Sequence, residues 1–322
     1  MNALVTGGTG FVGGHLIQAL LARGDTVTTL VRSPAKAAGL AERGVRLAGG
    51  SLEDPAALRA AARGQDVVYH AAGVVAARSE AGFLAANRDG TARLVAAAAE
   101  AAAGRIVLVS SLAAAGPAPR GGRLHGDETP RPVTAYGRSK LAGEAAVRAG
   151  PLPWTIVRPP PVYGPRDTEM LRIFRAARLG VAPVFGDGAQ ELSLIYGPDL
   201  GEALAAVGRS EPAIGRIFYP CHAEILTSAS LVRGIASALG GRIRLVVLPR
   251  WIAGFGLGIA GAAARLAGRA TILTPDKANE LFAPAWTCDP APLEVATGWR
   301  AAHDLAAGAR ATAAWYRDAG WL

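Results

Sequence analysis

Short apolar runs alternate with longer stretches in which apolar residues recur every three or four positions along the first half of the chain. That alternation predicts buried parallel strands joined by amphipathic helices, an α/β protein. Residues 3–6 form the first apolar run, which stops at glycines. Phe11, Leu16, Leu20 and Leu21 then fall at helical spacing, and Gly24 is placed to end that helix as its C-cap. A second strand follows over 26–31 and a third over 44–50. Asp54 and Pro55 predict the N-cap and first turn of a helix running to Arg63. Residues 66–73 read as a fourth strand ending in small residues, 83–103 as a long Ala-rich helix, and 105–111 as a fifth strand. A Pro/Gly-rich loop over 116–132, a helix near 134–149, a strand over 154–158 and a proline cluster at 159–161 complete the series.

This rhythm predicts a doubly wound parallel sheet of the Rossmann type over residues 1–160. Beyond 160 the rhythm loosens and Gly/Pro punctuation increases. A smaller, partly interleaved substrate domain is expected over 161–322, with segments that return to the Rossmann sheet.

The first turn carries candidate chemistry. Gly7, Gly10 and Gly13 are spaced G-x-x-G-x-x-G between a strand and a helix. Glycines there let the backbone turn sharply and approach a pyrophosphate, whose charge sits on free N–H groups at the helix N-terminus. The end of the second strand selects the dinucleotide. An acidic residue there binds the ribose hydroxyl of NAD, whereas arginine suits the 2′-phosphate of NADP. Val31 stands in the acidic position, followed by Arg32 and Ser33. A guanidinium grips phosphate bidentately and serine adds a donor. NADP is the expected cofactor, with NAD as the alternative.

Composition removes several classes. The formal charge is +9, yet the arginines are scattered singly, so no nucleic-acid partner is expected. Two cysteines, Cys221 and Cys288, make neither a metal spacing nor a disulfide framework. No metal is expected, and with no signal peptide read at the start, the reducing cytoplasm is the expected location. Only three of the 34 basic residues are lysines, so a lysine in this background is expected to serve its ammonium chemistry.

One of them is Lys140, four residues after Tyr136 and on the same face of a helix. A phenol is a poor acid or base near neutral pH unless its anion is stabilised. An ammonium one turn away is expected to lower the tyrosine pKa towards working pH. Ser111, at the end of the fifth strand, is placed to hydrogen-bond a substrate carbonyl or hydroxyl and align it with Tyr136.

At this point the chain resembles the extended short-chain dehydrogenase/reductase family, also called the NAD-dependent epimerase/dehydratase family. The resemblance covers nearly the whole length. It rests on Thr6-Gly7-Gly8-Thr9-Gly10-Phe11-Val12-Gly13, His70-Ala71-Ala72-Gly73, Asn87-x-x-Gly90-Thr91, Val109-Ser110-Ser111, Tyr136-x-x-x-Lys140 and the run from Arg158 to Pro165. It implies a Ser/Tyr/Lys triad with Tyr136 as acid/base, Lys140 also binding the nicotinamide ribose, and hydride passing between nicotinamide and substrate carbon. It further implies cofactor contacts from Thr6, Gly7, Thr9, Gly10, Phe11, Val12 and Gly13. Ser51, Leu52, Ala71, Ala72, Gly73, Pro159 and Val162 are carried over in the same way. Ser51 departs from the Asp that many members carry, which puts the adenine contact in doubt. A homodimer acting on a small molecule is expected.

Within the family, three branches separate. Dehydratases follow the catalytic hydroxyl residue with an Asp-Glu pair, whereas here Leu112 and Ala113 follow Ser111. Sugar-nucleotide epimerases often hold an arginine for the diphosphate where this chain has Leu192, although Arg166, Arg172 or Arg175 could replace it. Ser193-Leu194-Ile195-Tyr196 and Val31-Arg32-Ser33 look more like the dihydroflavonol-reductase and 3β-hydroxysteroid-dehydrogenase branches, which act on bulky, largely apolar alcohols and ketones. An NADP-dependent oxidoreductase is therefore expected, with an NAD(P)-dependent sugar-nucleotide epimerase as the alternative. A catalytically silent NADP sensor would generally lack the Tyr or the Lys. Residues 251–264 are uncharged and too few to span a bilayer. They predict a buried helix, a cavity wall, or a peripheral membrane contact flanked by Arg250 and Arg265.

Overall fold

A computed structural model describes residues 1–249 and 276–322; the predictions made for 251–264 lie outside the described residues. Its centre is a seven-stranded sheet, parallel throughout. In chain order the strands are β1 (Asn2–Thr6), β2 (Thr26–Val31), β3 (Arg46–Gly49), β4 (Val67–His70), β5 (Arg105–Val109) and β6 (Trp154–Val157). The two-residue strand Ile217–Phe218 returns from the second half of the chain to pair with β6 at the sheet edge. The lateral order then reads Ile217–Phe218, β6, β5, β4, β1, β2, β3. Reversal of direction on either side of β1 opens a crevice beyond the strand C-termini, where such sheets bind ligands.

The sequence pattern explains this sheet. Strands β4 and β5 are apolar almost throughout and buried on both faces. One face packs Val5, Val67, Val107 and Val157 against Leu16, Leu20, Leu200 and Leu204; the other packs Leu4, Val68, Ile106 and Ile156 against Leu58, Leu94 and Val147. Helix α1 (Phe11–Ala22) is capped by Arg23, and Gly24, the expected cap, follows one position later with φ +76°. Helix α2 (Ala38–Ala41) is a single turn. Asp54 caps α3 (Pro55–Ala62) as expected, its carboxylate accepting from Ala56 N and Ala57 N.

The helix expected over 83–103 is built from three pieces. Helix α4 (Glu80–Leu84) runs through a wide π-turn (Ala85–Asp89) into α5 (Gly90–Glu100). Such a turn inserts one residue into the helical ladder and is a common functional device. Here it aims Asn87 inward. Helix α6 (Leu112–Ala115), capped by Ser111, and helix α7 (Ala135–Arg148), capped by Thr134, complete this half.

Past residue 160 the elements are short. They include β7 (Val162–Tyr163), α8 (Leu171–Arg178), β8 (Val181–Phe185), β9 (Glu191–Leu192), β10 (Ile195–Tyr196) and α9 (Gly197–Arg209). Helix α9 lays Leu200 and Leu204 into the same core as Leu16 and Leu20 of α1. Strand β9 pairs with Leu226–Thr227 and with Ala285–Trp286 in a small three-stranded sheet.

Candidate active site

The glycine turn is built for close approach of a ligand. Gly7 has φ +76°, and a Cβ there would lie 2.7 Å from Ala72 N; a Cβ on Gly13 would lie 2.2 Å from the Gly7 carbonyl oxygen. Both positions therefore exclude any side chain. Gly10 caps α1 without a side-chain bond, and no acid occupies the first turn. Free N–H groups and a positive dipole end thus face outward, which fits a pyrophosphate. Thr9 and Gly10 are exposed, while Phe11 and Val12 are half-buried at the same turn. Thr6 lies buried directly beneath it.

Arg32 and Ser33 follow β2 at the sheet's C-terminal edge. Arg32 is exposed and forms no ion pair among the described residues. The Ser51 hydroxyl is turned to its own loop, accepting from Glu53 N at 3.1 Å. Leu52 is half-buried and would lie 3.1 Å from a Cβ on Gly90. Ala71 and Ala72 are half-buried and Gly73 is exposed after β4; any Cβ on Gly73 would meet the Asn87 amide oxygen at 2.9 Å. Pro159 is buried, its carbonyl accepting from Leu112 N, and Val162 is half-buried in β7.

Ser111, Tyr136 and Lys140 come together at the C-terminal end of β5. The Ser111 hydroxyl accepts from Ala113 N at 3.1 Å and also hydrogen-bonds the Tyr136 phenol. Lys140 is buried and donates from Nζ to the Val109 carbonyl at 2.7 Å. This bond sets the ammonium at the strand end beside Gly73, 3.7 Å from where a Cβ on that glycine would lie. Burial lowers the Lys140 pKa from 10.5 to about 8, against the pull of the Glu144 carboxylate.

The expected lowering of the tyrosine pKa is not what the geometry gives. Burial pushes the Tyr136 phenol up from 10.0 to about 12; the Ser111 hydrogen bond lowers it, and the Glu280 charge raises it further. Lys140 has its ammonium held on Val109, and no compensating charge reaches the phenol. Tyr136 is consequently a protonated phenol near neutral pH.

Residues that the sequence left unassigned hold this triad. Asn87 accepts from Val74 N at 2.9 Å and donates to Val74 O at 3.0 Å and to Ser139 Oγ at 2.9 Å. Ser139 in turn donates to the Tyr136 carbonyl at 2.7 Å. The loop after β4 and helix α7 are thereby tied through one amide. The signal available was an Asn four residues before Thr91, without a reason to point it inward. Asp276 and Glu280 gave no local signal at all. Asp276 accepts from Ala135 N at 2.6 Å and so supplies a second cap to α7. Glu280 forms an ion pair with Lys277.

A second buried network braces the far side. Arg158, 1% exposed, donates to Glu144 Oε1 at 2.9 Å and Oε2 at 2.7 Å, to Glu128 at 3.1 Å and to the Tyr219 hydroxyl at 2.8 Å. Tyr219 donates to Glu128, and Ser110 donates to Glu144. Glu128 brings the 116–132 loop into this network. That loop therefore packs down beside β6 through charge-assisted bonds.

An apolar cluster lies beside Ser111: Leu112, Ala115, Cys221, Ala283, Trp286 and Cys288, with Leu192 packed against it. Leu192 is aligned with Trp286 in the three-stranded sheet. The alternative phosphate ligands are placed elsewhere. Arg175 donates to the Trp321 carbonyl, Arg172 pairs with Glu169 at 3.8 Å, and the Arg166 guanidinium rests against Gly14. Among the described residues no group of His, Cys, Asp and Glu could hold a metal, and no helix is long and apolar enough to cross a membrane.

Over 324 aligned residues the chain is 37% identical to a ceramide reductase of Caulobacter vibrioides, covering 99% of this chain and 95% of that one. It is 27% identical to the human decarboxylating sterol-4-alpha-carboxylate 3-dehydrogenase, over 77% of this chain and 69% of that one. The solved structure of MoeE5 in complex with UDP-glucuronic acid and NAD shares the fold, with a TM-score of 0.78, 24% identity, and coverage of 99% and 100%. The model of the NAD dependent epimerase/dehydratase family matches residues 3–218. With its parallel sheet, its glycine turn and relatives that are reductases and dehydrogenases, this chain is an enzyme of the NAD-dependent epimerase/dehydratase family, in the extended short-chain dehydrogenase/reductase branch.

Proposed function

We propose that this enzyme is an NADP-dependent ketoreductase, acting between the carbonyl and alcohol forms of a bulky, largely apolar lipid of the ceramide type. The observation that carries this reading is the apolar cluster beside Ser111, with Leu192 packed on it where a diphosphate ligand would need a cation. An apolar substrate seated against such a surface gains about 25 cal/mol for each Å² of its apolar surface that is buried. The likeness to a ceramide reductase along 99% of the chain supports the same class.

When bound, the dinucleotide supplies or accepts the hydride. Its pyrophosphate would lie on the uncapped N-terminus of α1, and a 2′-phosphate would meet the unpaired Arg32. Ser111 Oγ orients the substrate oxygen by a hydrogen bond. Tyr136, protonated at neutral pH, gives its phenolic proton to that oxygen as the carbonyl is reduced, and recovers one from water. Lys140, anchored on Val109 at the strand end beside Gly73, would hold the nicotinamide ribose. The protonated state of Tyr136 favours its use as donor, which suits the reductive direction.

Calorimetry of the NADP-loaded protein tests the substrate class. A long-chain keto-lipid should bind at micromolar concentration, and UDP- or GDP-sugars negligibly. Tight binding of a nucleotide sugar without binding of the lipid would replace this reading by a sugar-nucleotide epimerase.

A further inference from the structure

Four of the seven large apolar side chains that are exposed among the described residues lie on one small ribbon. The other three, Met1, Val75 and Val295, are scattered. The ribbon is β8 (Val181–Phe185) paired in parallel with Arg244–Leu248, Arg244 standing beside Val181 and Leu248 beside Phe185. Ala182 and Val184 are buried against Val232, Ile173 and Ala176. Val181 (48%) and Val246 (41%) lie on the face turned away from that packing, with Leu179 (82%) at the head of the ribbon, whereas Val247 (56%) is aligned with Val184 on the opposite face. Scattered surface leucines and valines are ordinary, but a contiguous set marks a contact.

The charge around the set is one-sided. Arg178, Arg242 and Arg244 are exposed, and none is in an ion pair among the described residues. Arg244 N bonds to Gly180 O, so the two arginine-bearing segments are adjacent. Neither 170–186 nor 225–249 contains a single Asp or Glu. A second copy docking here by a two-fold axis would set arginine against arginine with no carboxylate between them. An anionic surface with an apolar interior satisfies both halves of the pattern.

We propose that this ribbon, with Leu179, Val181 and Val246 flanked by Arg178, Arg242 and Arg244, docks the enzyme on an anionic lipid bilayer. Its placement suits that role. Phe185, at the end of β8, meets Phe282 edge-on with ring centroids 6.0 Å apart. Phe282 directly follows the helix Lys277–Leu281, whose N-cap Asp276 accepts from Ala135 N, next to Tyr136, at 2.6 Å. The bilayer contact therefore leads towards the active site. The inference uses surface chemistry alone and does not rest on the substrate assignment.

Flotation of the full chain with phosphatidylcholine vesicles, with and without added phosphatidylglycerol, tests it. Binding is expected only to the anionic vesicles and should be released by high salt, which screens exposed charges. R178S/R242S/R244S should weaken partitioning roughly hundredfold, whereas the corresponding triple lysine variant should keep it. L179S/V246S should weaken it roughly tenfold, and V295S on the remote surface should leave it unchanged. Equal binding to both vesicle types, no binding to either, or an unaffected triple serine variant would overturn the proposal. So would light scattering that shows a dimer dissociated by L179S/V246S in a chain that ignores vesicles.

Discussion

Replacing Lys140 by Met should change how stability depends on pH. In the folded chain burial holds the Lys140 ammonium at a pKa of about 8, against an ordinary value of 10.5. Between those values the unfolded chain carries more protons than the folded one, so unfolding becomes harder as pH rises through the window. Below about pH 8 both states are protonated and the cost of burying the charge is felt in full. The gap of about 2.5, at about 1.4 kcal/mol per pKa unit, corresponds to about 3 kcal/mol. About 2 kcal/mol of that should be recovered between roughly pH 8 and 9.5. Tyr136 acts in the opposite sense above its ordinary 10.0, because its folded value is about 12 and the unfolded chain ionises first. That contribution is common to both proteins and cancels in the comparison. Urea unfolding of wild type and Lys140→Met at closely spaced pH values is the assay. The difference in unfolding free energy should move in favour of wild type by about 2 kcal/mol across the lower part of the window. Parallel curves would mean that Lys140 is not a buried ammonium, and its proposed role at the cofactor would lose its physical basis.

Three further outcomes are expected. Tyr136→Phe should lower turnover by at least roughly a hundredfold, the range of general acid–base catalysis, while leaving cofactor affinity nearly unchanged by fluorescence titration; an active variant rules out the assigned proton donor. Arg32→Ala should weaken NADPH binding roughly tenfold to a hundredfold and NADH binding little, because only NADPH carries the 2′-phosphate; equal losses would remove Arg32 from that role. Glu144→Ala leaves Arg158 buried without its bidentate partner and should cost about 3–5 kcal/mol in unfolding free energy. A loss below about 1 kcal/mol, the range of surface pairs, would show that water reaches the network.

Much of the Rossmann half was legible because its strands are buried on both sides. Continuous apolar runs such as 106–109 leave few other assignments, and Asp54-Pro55 marks a helix start by local chemistry alone. The glycine turn was legible for the same local reason, since Gly7 and Gly13 cannot carry a Cβ. The second half was less so. Its strands β7, β9 and β10 are two residues each, too short for any periodicity to register. The π-turn was hidden because Ala85-Ala86-Asn87 keeps an ordinary helical appearance, and only the contact with Val74 and Ser139 reveals the widening. The Tyr136 pKa was misjudged because spacing places Lys140 on the right face but says nothing of Val109, which takes its proton donor.

The glycine turn and helix α7 are also joined by a chain of hydrogen bonds with only one consistent direction. Thr91 Oγ1 donates to the Asn87 carbonyl at 2.7 Å, so its oxygen must accept from His70 Nε2 at 3.0 Å. His70 is fully buried, and burial together with the Lys140 charge lowers its pKa to about 3, so the ring is neutral. Its Nδ1 is then an acceptor for Thr6 Oγ1 at 2.7 Å, leaving the Thr6 oxygen free to accept from Ala72 N. Every proton in the chain has one donor and one acceptor, and reversing any link leaves a buried group unpaired, which costs about 1–3 kcal/mol. Thr6 beneath the glycine turn, His70 at the end of β4 and Asn87 in the π-turn are therefore held in a single arrangement. Through Ser139 that arrangement extends to the backbone of Tyr136. The distance between the glycine turn and Tyr136 is thus set by neutral hydrogen bonds, which neither salt nor pH changes near neutrality will loosen.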